Sequence, residues 1–119
     1  NFRVMVGGDG HFLAALVHGA DGTIGMQPSV VPEIDVQLFE AYTSGDLEDA
    51  SAWQREAVKF ASELLKGPGS SQARGKAVLE QLGICGRTVA PPMRTLTDSE
   101  AEETWVRVKD LTGARVGAH

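Results

Sequence analysis

Residues 4–27 read VMVGGDGHFLAALVHGADGTIGMQ, and the division of this stretch into elements decides the fold. Residues 2–6 are rich in branched and aromatic side chains, the composition of a buried strand. GGDG at 7–10 interrupts it. HFLAALVH at 11–18 carries helix-forming Leu and Ala and stops at Gly19, a position suited to a C-cap. ADG at 20–22 turns the chain, and TIGM at 23–26 reads as a second strand. A helix between two strands fits a crossover to a parallel neighbour. Two parallel strands are not a stable sheet alone, because parallel sheets need both faces covered. The expectation is therefore an α/β protein, the last part of a barrel whose remaining strands lie outside these residues. A complete barrel takes about 250 residues.

Downstream the period changes. PSVVP at 28–32 reads as a loop. From Glu33 onward Ile34, Leu38 and Ala41 or Tyr42 share a helical face that ends at Ser44-Gly45. Residues 47–66 form a long amphipathic pattern, with Leu47, Ala50, Trp53, Ala57, Phe60, Ala61 and Leu64 on its apolar stripe. GPGSS at 67–71 is a loop. Residues 72–82 predict another helix, closed by Gly83. CGRTVAPPMRTL at 85–96 is extended and broken by proline. Thr97 and Glu100 have capping-box spacing and open a last helix carrying Ala101, Trp105, Val108 and Leu111. GARVGAH at 113–119 is expected to be a frayed tail. The division expected is 1–45 for the barrel units and 46–119 for a helical extension.

Composition narrows the function classes. The 119 residues carry a formal net charge of −5, with 42% hydrophobic and 23% charged residues. This is a globular balance. Without a Lys/Arg cluster, nucleic acid and anionic membrane are not expected partners. No apolar run is long enough to span a bilayer, and no signal-peptide pattern is present. Cys85 is the single cysteine, so no internal disulfide and no cysteine metal site is expected, which suits a cytoplasmic setting. No cofactor is expected. GDG at 8–10 lacks the third glycine of a dinucleotide fingerprint, because Leu13 stands there. His11 and His18 have no evident third ligand.

The order of GGDG after a strand, GADGTIG into the next strand, and a loop ending in Pro32 resembles the C-terminal part of the dihydrodipicolinate synthase / N-acetylneuraminate lyase family. ARGKAVLEQLGICGRTVAPPMRTLTDSE continues the likeness: a Lys-bearing helix ending in Leu-Gly, an extended Pro-Met stretch, then T-x-x-E. The resemblance implies a (β/α)8 TIM barrel in which residues 2–6 are strand 7 and residues 23–26 strand 8, followed by C-terminal helices. It implies a Schiff-base aldolase or hydro-lyase acting on pyruvate or another 2-oxo acid, working as a homo-oligomer. The family's Schiff-base lysine and catalytic tyrosine would lie outside this chain. Lys59, Lys66, Lys76 and Lys109 fall on predicted helices or their ends, and Tyr42 on a helix. Residues 1–119 alone are thus expected to be inactive and to need the N-terminal remainder of the barrel. The alternative is a non-catalytic half-barrel and helical assembly module.

The same resemblance places the rim of the pocket. Gly7 and Gly8 would let backbone approach a ligand, and that turn would accommodate positive φ. Asp9 would accept hydrogen bonds from substrate hydroxyls or cap the following helix. Ile24, with its side chain in the core, would present its backbone carbonyl near the Schiff base, and Gly25 would leave room beside it. Many family members carry Asn where Ser29 stands here. No metal ligands are expected.

Overall fold

A computed structural model describes residues 1–113; of the expected tail, residues 114–119 lie outside the described residues. The chain divides into two units, Asn1–Ala61 and Ser62–His119.

In the first unit, strands β1 (Met5–Val6) and β2 (Gly22–Thr23) pair in parallel, Met5 opposite Gly22 and Val6 opposite Thr23. Between them run a 3-10 turn, Asp9–His11, and helix α1, Phe12–Val17. The crossover read from the sequence is present. The ladder continues past the strand ends through Asp21 N–H to Val4 O at 2.8 Å and Ile24 N–H to Val6 O at 3.0 Å. The strands are shorter than residues 2–6 and 23–26, and the first is not buried: Phe2 is 85% exposed. With one neighbour each, the two strands form a narrow ribbon; α1 packs against β2, and Val6 of β1 joins the core beneath it.

Helices α2 (Met26–Val30), α3 (Pro32–Thr43) and α4 (Leu47–Leu65) follow. The loop expected over 28–32 is mostly helix. Pro28 sits at the third position of α2, where the backbone N–H has no intrahelical acceptor, so the ring costs little. Phe12, Leu16 and Leu38 form the core of this unit, with Val6, Leu13, Tyr42 and Trp53 packed against them. The Tyr42 hydroxyl donates to the Leu16 carbonyl at 3.0 Å, and the Phe12 and Phe39 rings stack at 6.4 Å. On α4 the stripe is buried at Ala50, Ala57, Phe60 and Leu64, whereas Leu47 is exposed.

The second unit contains α5 (Ser71–Gln81) and α6 (Asp98–Val108), followed by a 3-10 turn, Lys109–Leu111. Ala73, Ala77, Leu96 and Ala101 form its core, with Val89 against them. Gly19, Gly45 and Gly83 end α1, α3 and α5 in the left-handed region. Each hands its own N–H and that of the next residue back to the last turn. No described helix is long and apolar enough to cross a membrane.

The capping box at the start of α6 is formed in both directions: Glu100 N–H donates to Thr97 Oγ1 at 3.3 Å and Thr97 N–H to Glu100 Oε2 at 2.9 Å. Thr97→Ala should cost about 1 kcal/mol in a denaturation experiment. Arg94, then the Thr97 backbone, holds the Glu100 carboxyl down at about 2, from 4.5. The folded value is depressed, so its stabilisation is present above the unfolded value and is lost as pH falls from about 4.5 towards 2. The bond that Thr97 Oγ1 accepts does not titrate, so the Thr97→Ala penalty should persist at low pH while that of Glu100→Gln shrinks; an unchanged Thr97→Ala midpoint at pH 7 would contradict the cap.

Candidate functional site

The ends of β1 and β2 bring the five expected residues close together. Gly8 has φ 97°, a left-handed value that favours glycine; Gly7 does not need it. A Cβ on Gly7 would lie 4.0 Å from the Ile24 carbonyl oxygen, so Gly7 flanks that carbonyl. Gly25 is extended, with φ −165° and ψ 179°, which any residue adopts. Its requirement is space: a Cβ there would stand 2.4 Å from Asp9 Oδ1 and 3.5 Å from Pro28 Cδ. Ser29 Oγ donates to the Gly25 carbonyl at 3.2 Å. Ile24 departs from the sequence reading. Its side chain is 69% exposed, because it lies beyond the last strand pair with no described layer over it.

Asp9 does not cap the helix that follows it. The N-cap of α1 is His11, with no side-chain cap bond. The Asp9 carboxylate instead faces the backbone N–H groups of Gln27, the second residue of α2, and of Asp9 itself, which favour its charged form. Two bonds from Gln54 on α4 hold the turn: its side-chain amide donates to Asp9 O at 3.1 Å, and its Oε1 accepts Leu13 N–H at 2.8 Å.

Three acidic or amide side chains meet behind the turn. Gln27, fully buried, donates through Nε2 to Asp35 Oδ2 at 3.3 Å. Asp9 Oδ1, Gln27 Oε1 and Asp35 Oδ1 are buried without a hydrogen-bond partner. Burial raises the Asp9 carboxyl, opposed by the Gln27 N–H. Burial, then the negative charge of Asp9, pushes Asp35 up to about 6, opposed by the Gln27 amide. Sequence reasoning missed Gln27, Asp35 and Gln54. The available signal was an acid three residues before Leu38 inside the apolar stripe of α3.

The Asp35 shift fixes a stability sign. Its folded value lies above 3.8, so the native state holds the extra proton between about 4 and 6. Stability falls as pH rises through that window, and the penalty is complete above it. Asp35→Asn should therefore stabilise the fold at pH 8 by about 1–3 kcal/mol and have little effect at pH 4. Equal effects at both pH values in urea titrations would exclude this origin.

A cavity of about 360 Å³ beside Asp35 is lined by Met5, Phe12, Thr23, Pro28 and Phe39 among others; none of the five rim residues lines it. No lysine lies on either described strand: Lys59 is on α4, Lys66 follows it, Lys76 is on α5 and Lys109 opens the final turn. The described residues contain no group of three or more His, Cys, Asp or Glu placed to hold a metal ion.

The sequence model of the dihydrodipicolinate synthetase family matches residues 1–111. A 4-hydroxy-tetrahydrodipicolinate synthase of Hyphomonas neptunium is 32% identical over 101 residues, 85% of this chain and 33% of the relative. An uncharacterized DapA-like lyase of Thermococcus kodakarensis is 30% identical over 106 residues, 87% of this chain and 35% of the relative. The solved dihydrodipicolinate synthase of Bacteroides thetaiotaomicron superposes with a TM-score of 0.82 at 26% identity, covering 92% of this chain and 38% of that one. The chain thus spans about a third of the length of the curated relatives it matches.

Proposed function

Because this chain belongs to the dihydrodipicolinate synthetase family, we propose that it is part of a Schiff-base aldolase or hydro-lyase acting on pyruvate or another 2-oxo acid. In this reading β1 and β2 are strands 7 and 8 of a (β/α)8 barrel. Residues 1–45 are its last two βα units, and residues 46–119 a C-terminal helical extension. The supporting observation is the pairing of Gly7 with the Ile24 carbonyl and of Gly25 with Asp9 beyond the strand ends. That end of a barrel is where active sites are built.

The chemistry divides accordingly. The lysine that condenses with the 2-oxo acid belongs to a part of the barrel outside residues 1–119, as does the catalytic tyrosine. Residues 1–119 alone are inactive. Here the Ile24 carbonyl accepts a hydrogen bond beside the Schiff base, and Gly25 keeps that space open. Gly7 and Gly8 bring bare backbone to the rim, and Asp9 accepts from a substrate hydroxyl. The remainder of the barrel is the obligatory partner, and the complete enzyme is a cytoplasmic homo-oligomer needing no cofactor.

Trapping tests this. Full-length protein incubated with pyruvate and borohydride should gain one covalent adduct, mapped by peptide mass to a lysine outside residues 1–119. An adduct on Lys59, Lys66, Lys76 or Lys109 would overturn the division of labour. Absence of any adduct would favour a non-catalytic module.

Asp9→Asn separates substrate contact from scaffold. The amide oxygen still faces the Gln27 N–H, while the charge that raises Asp35 is gone, so the fold should be no less stable at pH 7. The charge-assisted bond to substrate is lost, lowering kcat/KM on hydroxylated 2-oxo acids roughly tenfold. Adduct formation with pyruvate should persist. Unchanged kcat/KM on every hydroxylated substrate would leave Asp9 only its scaffold bond.

A further inference from the structure

The least satisfied polar cluster in the first unit is the trio behind the Asp9 turn. Gln27 stands between its two acids: its side-chain amide donates to Asp35, and its backbone N–H faces Asp9 and favours that carboxylate's charged form. Asp35 is only 6% exposed, yet that long 3.3 Å bond is its one described donor. Three oxygens are left over: Asp9 Oδ1, Gln27 Oε1 and Asp35 Oδ1. Buried acceptors without donors are costly, and two buried carboxylates sharing one neighbourhood disfavour double ionisation.

Among the described residues no cation acts on either carboxyl. The cavity next to Asp35 is lined by no basic residue, and its other acids are Asp21 and Glu40. Arg3 is paired with Asp21. Helix α1 has His11 before it and His18 after it, α2 carries no titratable group, α3 adds Glu33 and Glu40, and α4, which holds the Asp9 turn through Gln54, carries Arg55, Glu56 and Lys59 on its exposed side. One hydrogen on a carboxyl would turn an unpartnered acceptor into a donor among acceptors.

We propose that Asp9 and Asp35 form an acid pair bridged by Gln27 that holds a single proton, with Asp35 as its carrier and Asp9 as the ionised member at the strand end. The assignment of the two roles follows from burial and donors. Asp9 is only half-buried and has a backbone N–H, which favours its charged form. Asp35 has the deeper site and the weaker donor. The upward shift of Asp35, caused first by burial and then by Asp9, agrees. Asp35 is therefore a positioning residue. While it holds the proton, Gln27 sits between one neutral and one charged carboxyl and steadies Asp9 over Gly25. When the proton leaves, two negative charges repel across Gln27. The consequence for turnover rests on the proposed role of Asp9; the shared proton does not.

Full-length protein labelled with carboxyl-13C aspartate, titrated by NMR, tests the proton directly. One resonance, missing from Asp35→Asn, should titrate at least about one pH unit above the ordinary Asp range and move down in Asp9→Asn. The pH profile of kcat/KM supplies the second reading. Asp35→Asn, which keeps hydrogen bonding to Gln27 but cannot ionise, should remove one inflection. Asp35→Leu should remove the same inflection and also lower kcat/KM several-fold across the range. An Asp35 resonance in the ordinary range, or one indifferent to Asp9→Asn, overturns the shared proton; a profile unchanged by Asp35→Asn in an active enzyme overturns the positioning role of Asp35. If the protein has no lyase activity, the proposed function fails while the NMR titration still decides the proton.

Discussion

Arg74→Leu should be among the most destabilising single substitutions in this chain, by about 3 kcal/mol or more. Arg74 is buried on α5, and its guanidinium gathers five backbone carbonyls. Nε donates to Leu64 O at 2.6 Å and Nη2 to Leu65 O at 3.0 Å. Nη1 serves Gly67 O at 3.0 Å, Pro68 O at 2.9 Å and Gly69 O at 2.5 Å. The last carbonyls of α4 have no intrahelical donor and carry the negative end of its dipole, so a cation there satisfies both needs. Leu would fill similar space and leave the carbonyls without donors. Bonds to charged groups are worth roughly 1.5–3 kcal/mol each, though shared geometry keeps the sum well below five times that. Arg74→Lys keeps the charge but not the planar fork, and should recover only part of the loss. Arg107 donates to Lys66 O at 2.6 Å and pairs with Glu103 at 2.9 Å, but it is less buried. Its truncation should cost about 1 kcal/mol. Urea denaturation of the full-length protein reads all three; a midpoint for Arg74→Leu equal to that of Arg107→Ala would refute this account.

Gly25→Leu should have the largest effect on activity. Even the first carbon of a side chain would meet Asp9 Oδ1 at 2.4 Å, closer than real atoms approach. The Asp9 carboxylate would have to move off Gly25, and the rest of the Leu would occupy the space beside the Ile24 carbonyl. Under the proposed chemistry, kcat/KM should fall roughly a hundredfold, the scale of a misplaced group near reacting atoms. The stability cost should stay in the overpacking range, about 1–3 kcal/mol, because the backbone at Gly25 is ordinary. A double-mutant cycle isolates the cause. Placing Ala at Gly25 in an Asp9→Gly background should cost about 1 kcal/mol less than in the wild type. Additive costs would mean that Asp9 is not what excludes a side chain there, and unchanged turnover in Gly25→Leu would remove Gly25 from the site.

What could be read from the sequence alone was what neighbours in the chain decide. Gly19, Gly45 and Gly83 marked helix ends because only a few adjacent bonds need the left-handed turn. Thr97 and Glu100 announced the start of α6 because both halves of the box lie within one turn. The parallel crossover followed from one short helix between two strand-like runs, and the order of small motifs pointed to the family. Tertiary structure decided the rest. Pro28 looked like a loop residue, yet it lies in the first turn of α2, where its missing N–H has no partner to lose. Nothing beside Arg74 in the sequence marks it out within the helix expected over 72–82; only the folded return of α5 past the end of α4 gives its fork five acceptors. Asp35 and Gln27 are unremarkable letters until α2 and α3 bury them beside Asp9. Burial and charge coupling arise between elements, and they change what a carboxyl or a guanidinium does without changing anything in its local sequence.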